Sequence, residues 1–172
     1  MKIKHLFSVA LVLCISTFTS CDLFDKADDV NFDVDVPLNF VVNISEVLTF
    51  SDEALLNAKT NSDVAKYASK IESFKVNKIT YSIEGSNASS QTFSGSLVIA
   101  EGGQTLGTLT NVAVTNTLET DLPVNVDGLN ALASKLLDDK EELVRVAGLF
   151  SDGSVNFTLK LRFYLTIKAN AL

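Results

Sequence analysis

The chain has no tryptophan and, in 172 residues, only one histidine, one methionine, two cysteines and two prolines. His5, Met1 and Cys14 all lie within Met1–Ser20, which has the layout of a cleavable export signal. The mature chain would then have no imidazole and a single thiol, at Cys21. This excludes an intrachain disulfide, a Cys/His zinc site, a Ser-His-Asp or Cys-His nucleophile, and haem bound through His or Met.

Positive charge is also scarce. Lys2 and Lys4 are lost with the signal, so twelve of the 14 basic residues remain against 21 acidic ones, a formal charge of −9. A phosphate backbone requires a basic face, and we therefore expect no nucleic-acid partner.

The first 20 residues predict export. A basic start is followed by the apolar run Leu6–Ile15 and a short polar stretch, and the run is too short to cross a bilayer as a helix. Phe18-Thr19-Ser20-Cys21 then resembles the lipobox of bacterial lipoproteins, with Phe18 where leucine is usual. The resemblance implies that Cys21 is lipidated and anchors the chain in a membrane through its acyl chains.

The mature chain is predicted to have two parts. Residues 21–29 are acidic and are expected to form a tether; residues 30–172 have a length that suits one domain. Val30–Ile44 and Val155–Lys168 alternate apolar and polar residues, which is typical of half-buried strands. Pro37 cannot donate a ladder hydrogen bond, so the first strand is an edge strand or is broken near its middle.

Two helices are predicted between these strands. The first covers Ser62–Glu72, with Asn61 or Ser62 as its cap. The second covers Gly128–Lys140 and is capped by Asp127.

A β-hairpin is predicted after each helix. One pairs Phe74–Glu84 with Gln91–Ala100, and the other pairs Glu142–Phe150 with Ser154–Lys168. A further strand is expected near Thr105–Thr115.

The two halves of the chain share an order of elements. Each is predicted as strand, helix, strand, strand, and Ala68-Ser69-Lys70-Ile71 matches Ala133-Ser134-Lys135-Leu136 at an offset of 65. This leaves open whether the unit is duplicated. Leu48–Asn57 is expected to add a helical turn. The predicted fold class is α+β, mainly antiparallel β-sheet in a sandwich-like or curled arrangement with two helices.

Catalytic chemistry has little support in the sequence. Ser69-Lys70 and Ser134-Lys135 are adjacent on helices, so their side chains diverge by about 100° and cannot form a Ser–Lys couple. A carboxylate-based hydrolase would need two converging acids, which cannot be picked out among 21. We therefore predict a protein that is not an enzyme, with no catalytic residues and no cofactor.

Calcium is the one metal that the sequence leaves open. Its oxygen ligands could come from Asp28, Asp29, Asp33 and Asp35, which lie close together in the sequence. The glycine-containing calcium loop is missing, so a charged outer strand face is the preferred interpretation, and no metal site is predicted.

Eleven of the 14 aromatic residues are phenylalanine, and core packing accounts for them. Tyr81 and Tyr164 are candidates for surface contact. Carbohydrate-binding surfaces usually present exposed Trp or Tyr, so the absence of Trp counts against a sugar-binding module.

The order of segments resembles that of envelope lipoproteins of Bacteroidota. The resemblance rests on the signal, Cys21, the central strand Ile79-Thr80-Tyr81-Ser82-Ile83 and the final segment Gly148–Ile167. It implies a lipid-anchored protein of the cell envelope, on an undetermined membrane face, but no assigned activity.

Two functions remain open. The first is a structural or protein-interaction module with an envelope protein partner. The alternative is a small carrier that binds a lipid or other apolar ligand in a tunnel between the sheet and the helices.

Overall fold

The computed structural model describes residues 29–45 and 48–170. The expected signal, Cys21 and Asp28 lie outside these residues, and Asp29, expected to end the tether, is the first residue of a strand. The described strands are β1 (Asp29–Ile44), β2 (Thr49–Asn57), β3 (Ile71–Glu84), β4 (Thr92–Ile99), β5 (Thr105–Ala113), β6 (Thr117–Asp121), β7 (Glu141–Phe150) and β8 (Val155–Asn170). The helices are a 3₁₀ turn (Ala58–Thr60), α1 (Ser62–Tyr67) and α2 (Val126–Asp139).

The strands form two antiparallel sheets of four. The first sheet has the order β1-β8-β3-β6, and the second has the order β2-β7-β4-β5. Each sheet alternates strands from the two ends of the chain, which is the connectivity of a jelly-roll sandwich. The expectation of mainly antiparallel sheet is confirmed, and the arrangement is a sandwich.

The two sheets are related by a shift of four strands. Replacing each strand of the first sheet by the strand four places away gives β5-β4-β7-β2, which is the second sheet read in reverse. Each half of the chain runs strand, strand, helix, strand, strand, so the predicted unit lacked one strand in each half. The four matching residues are not equivalent: Ala68–Lys70 form a turn and Ile71 begins β3, whereas Ala133–Leu136 lie inside α2. Two Greek keys produce this shift in any jelly roll, so the duplication stays a prediction.

The core lies between the sheets. The long strands β1 and β8 pair along their whole length, from Asp29 opposite Asn170 to Ile44 opposite Val155. Their alternation places one side chain in two on the inner face, where Phe40 and Phe163 have no exposed surface. β1 is an edge strand, as Pro37 indicates.

Both predicted hairpins are wrong. β3 and β4 belong to different sheets, and so do β7 and β8. The alternating pattern is the same whether neighbouring strands pair side by side or face each other across a core. Residues 151–154 can span about 13 Å when extended, enough to cross the roughly 10 Å between packed sheets.

Two further segments differ from expectation. Leu48–Asn57 contains strand β2, not a helical turn, because residues Thr49–Asn57 pair with β7 and this ladder outweighs local helix preference. Thr117–Asp121 was not predicted as a strand. Four of its five residues are exposed, so it lacks the buried alternation that marks a strand in the sequence.

The helices are confirmed, with changed ends. α1 stops at Tyr67, and Asn61 is its cap. The cap of α2 is Asn125, not Asp127: the Asn125 side chain accepts a hydrogen bond of 3.0 Å from the Gly128 amide. In the described part of the chain, no helix has both the length and the apolar character needed to span a membrane.

Candidate binding face on the first sheet

The solvent-facing side of the first sheet, here called the outer face, carries ordered charge pairs. Each pair joins side chains from neighbouring strands, which fixes their positions across the sheet. The pairs are Lys168 with Asp29 (2.8 Å) and with Glu72 (2.7 Å), Arg162 with Asp35 (2.9 Å), and Lys160 with Glu84 (2.6 Å). Hydrogen bonds from the Lys168 ammonium to Asp29 and then Glu72 raise the pKa of this lysine well above its usual value.

The aspartates considered as calcium ligands have separate partners. Asp29 pairs with Lys168 and Asp35 pairs with Arg162, while Asp33 accepts a hydrogen bond of 2.5 Å from Thr166. Within residues 29–45 and 48–170, no group of three or more Asp, Glu, Cys or His is placed to hold a metal ion. Asp29, Asp33 and Asp35 are therefore part of a charged outer strand face, which is the interpretation preferred from the sequence.

Glu119 on β6 is the centre of a second cluster on the outer face. Its carboxylate accepts hydrogen bonds from the Tyr164 hydroxyl at 2.5 Å and from the Thr80 hydroxyl at 2.7 Å. Arg162 Nε lies 4.0 Å from the other carboxylate oxygen. Thr80 is only 2 % exposed, although it faces outward, because this cluster covers it.

Hydrogen bonding moves the pKa values of Glu119 and Tyr164 in opposite directions, each further from neutral pH. The hydrogen bond from Tyr164, followed by that from Thr80, lowers the pKa of the Glu119 carboxyl. The same hydrogen bond raises the pKa of the Tyr164 hydroxyl. A carboxylate of lowered pKa is a poor proton acceptor, so this cluster suits holding strands together and not proton transfer.

A groove of about 510 Å³ opens on the outer face beside β6. Its floor is formed by β1, β8 and β3, and β6 together with the preceding Asn116 forms one wall. Side chains that line it include Asn39, Ser82, Lys160, Arg162, Leu118 and Glu119. Its size lies in the range of small-ligand sites.

One row of polar side chains crosses the groove floor. Asn39 on β1 and Ser82 on β3 both lie opposite Lys160 on β8, one on either side of it. Lys160 is held by Glu84, whereas the side chains of Asn39 and Ser82 have no hydrogen-bond partner among the described residues. Adjacent strands are about 4.8 Å apart, so the row presents hydrogen-bonding groups over roughly 10 Å.

In contrast to the groove, the interior of the sandwich is filled by side chains. Two cavities between the sheets, lined by side chains such as Phe93, Phe157 and Leu159, each hold only about 10 Å³. This is close to the space of one water molecule, far below that of a lipid chain.

The outer face was only partly predictable. The polar side of β8 follows from its alternation, and Tyr164 is on the outer face as expected. Tyr81 is not a surface residue: it is 8 % exposed and faces the core. Glu119 was missed because its strand gives no sequence signal. Cys21 lies outside the described residues.

Comparison with solved structures finds viral coat proteins. The chain is similar to the decameric BFDV capsid protein, with 8% identity, a TM-score of 0.45, and coverage of 80% of this chain and 99% of that one. For desmodium yellow mottle tymovirus, the identity is 15%, the TM-score 0.41, and the coverage 83% and 90%. No family model matches the chain, and no curated protein matches it. The jelly-roll assignment therefore rests on the strand order.

Proposed function

We propose that the chain is a lipid-anchored, non-enzymatic interaction module of the cell envelope that binds its partner through the outer face of the first sheet. The observation that carries this proposal is the groove of about 510 Å³ on that face, with its paired charges and the unpaired side chains of Asn39 and Ser82. The paired side chains of Lys160 and Arg162 lose less conformational freedom on binding than unpaired ones would.

The start of β1 supports attachment at one end of the sandwich. Asp29 is bonded through Lys168 to Glu72, so β1, β8 and β3 are tied together where the tether enters. The groove lies eight residues further along β1, at Pro37. At 3.3 Å per residue this is about 26 Å, so an anchored module would hold the groove away from the bilayer.

The filled interior favours the interaction module over the carrier. A tunnel for a lipid chain needs several hundred cubic ångströms, and the two cavities between the sheets offer about 10 Å³ each. Native mass spectrometry of the soluble Cys21→Ser protein would test this directly. Reproducible co-purified lipid would favour the carrier instead.

Membrane fractionation tests the anchor. Cys21→Ala should move the protein from the membrane fraction to the soluble fraction, whereas the matched control Cys14→Ala should leave it in the membrane. Intact-mass analysis should find acyl chains on Cys21. Membrane association that survives Cys21→Ala would overturn the anchor.

Crosslinking in intact cells tests the binding face. A photoreactive residue at position 39, at the groove, should capture a reproducible partner, and one at position 96, on the outward side of the second sheet, should not. Equal capture at both positions would contradict the assignment to the outer face.

A further inference from the structure

The groove has hydrogen-bonding groups that the fold does not use. The Asn39 amide can donate and accept, the Ser82 hydroxyl can do both, and Lys160 keeps donors beyond its bond to Glu84. Their separation is set by three hydrogen-bonded strands and not by loops. A ligand here meets alternating donors and acceptors on a rigid floor.

The charge around the groove disfavours an anion. Lys160 and Arg162 are its two cations, and they are matched by Glu84, Asp35 and Glu119. The local sum is one negative charge, in a chain of formal charge −7. A phosphate or carboxylate ligand would have to displace an existing partner of either cation.

The edges of the first sheet disfavour an added peptide strand. Pro37 interrupts the donors of β1. At the other edge, the Thr120 hydroxyl donates to the Leu118 carbonyl and the Thr117 hydroxyl donates to the Thr115 carbonyl, so side chains occupy carbonyls there. A partner would therefore contact the face of the sheet and not extend it.

Two exposed apolar side chains line the groove in the described part of the chain: Pro37 on its floor and Leu118 at its rim. Leu118, 89 % exposed, stands at its rim. The Tyr164 ring is covered by Lys78, whose Nζ lies 4.6 Å from the ring centroid, and Tyr81 faces the core. Among the described residues, the groove thus offers no free aromatic platform of the kind that gives strong stacking.

We propose that the groove binds a neutral oligosaccharide, whose hydroxyls hydrogen-bond to Asn39, Lys160 and Ser82 while one ring face contacts Leu118. Each hydroxyl can donate and accept, which matches the mixed row, and a neutral ligand leaves the ion pairs of Lys160 and Arg162 intact. The missing aromatic platform implies weak binding, with a Kd of about 0.1–1 mM. This inference rests on the outer face being the binding face, and it assigns the ligand class.

Titration followed by NMR tests the inference. The full-length chain carrying Cys21→Ser, collected after export, is titrated with neutral oligosaccharides of two to six sugars (gluco-, manno-, xylo- and chito-series) and with acidic galacturonate oligomers. At least one neutral series should shift the signals of Asn39 and Ser82. Asn39→Ala and Ser82→Ala should each weaken that binding about 3- to 10-fold. Asn43→Ala, on the same face of β1 outside the groove, should not change it.

Three outcomes would overturn the oligosaccharide assignment: no shift with any neutral series, binding that is insensitive to both groove variants, or preference for the acidic oligomers. The crosslinking experiment separates this failure from failure of the proposed module. A protein captured at position 39 without any oligosaccharide binding would leave the module intact and make its partner a protein.

Discussion

Glu119 and Tyr164 are joined by a hydrogen bond of 2.5 Å that passes over the strand lying between them. Glu119 is on β6 and Tyr164 is on β8, and β3 separates the two strands in the sheet. β6 is short and pairs with β3 at only three positions, with a register shift among them. This contact therefore adds to a sparse ladder at the edge of the first sheet.

The titration of Glu119 should report this contact. Because Tyr164 is the main cause of the lowered pKa of Glu119, the Glu119 carboxyl should titrate below its usual value of 4.5 in the native chain. Tyr164→Phe removes the donor and should move this pKa upward. Carboxyl ¹³C shifts recorded between pH 2 and 7 measure both values, and an unchanged Glu119 titration in Tyr164→Phe would contradict the assignment.

The free energy of unfolding should depend on pH in the direction that the lowered pKa of Glu119 implies. A carboxyl whose pKa is lowered by folding stabilises the native state above its unfolded pKa, and this stabilisation is lost as the pH falls through the lowered folded pKa. Glu119→Gln should therefore unfold at lower urea concentration than the native chain at pH 7. The difference should shrink once the pH is below the lowered pKa. A difference that is the same at pH 7 and pH 2.5 would show that Glu119 acts without its charge.

The cap of α2 distinguishes the observed helix start from the one that the sequence predicts. Asn125→Ala removes the acceptor for the Gly128 amide and should lower the free energy of unfolding by about 1 kcal/mol. Asp127→Ala removes only a favourable charge in the first turn, worth about 0.3–1 kcal/mol. Urea denaturation measures both, and a larger loss for Asp127→Ala would restore Asp127 as the cap.

The sequence predicts strands better than it predicts their partners. The alternation in β1 and β8 locates both strands to within two residues, because burial of one face requires that pattern. The same alternation cannot tell which sheet a strand joins, and so β3 and β4 were paired wrongly. β6 is not predicted because Glu119 and its neighbours are mostly exposed. Since β6 forms one wall of the groove, the groove is not predicted from the sequence either.

A glycine pair in the second sheet is expected to be intolerant of a side chain. Gly95 on β4 lies opposite Gly148 on β7, and the Phe93 ring lies over both. A Cβ on Gly148 would be 2.4 Å from the Ser94 carbonyl oxygen and 2.6 Å from the Phe93 ring. Gly148→Ala should therefore lower the free energy of unfolding by about 1–3 kcal/mol.

Ser96→Ala is the matched control for Gly148→Ala. Ser96 follows Gly95 on β4. Ser96→Ala deletes a half-buried hydroxyl without crowding the inner face, and it should change stability by no more than about 0.5 kcal/mol. Chemical denaturation of the two variants compares them. Equal stability of Gly148→Ala and Ser96→Ala would contradict the close packing of β4 against β7 at Gly148.

Pro37 should limit association through the edge of the first sheet. β1 is 16 residues long and has no hydrogen-bonded strand on one side within the described chain, an arrangement that invites pairing with another molecule. Pro37 interrupts its row of backbone donors near the middle. Pro37→Val restores a donor and adds β-branching, so it should increase concentration-dependent self-association in analytical ultracentrifugation. Asn43→Val adds the same side chain elsewhere on β1 without adding a donor. If both variants associated equally, surface hydrophobicity and not the freed edge would be the cause.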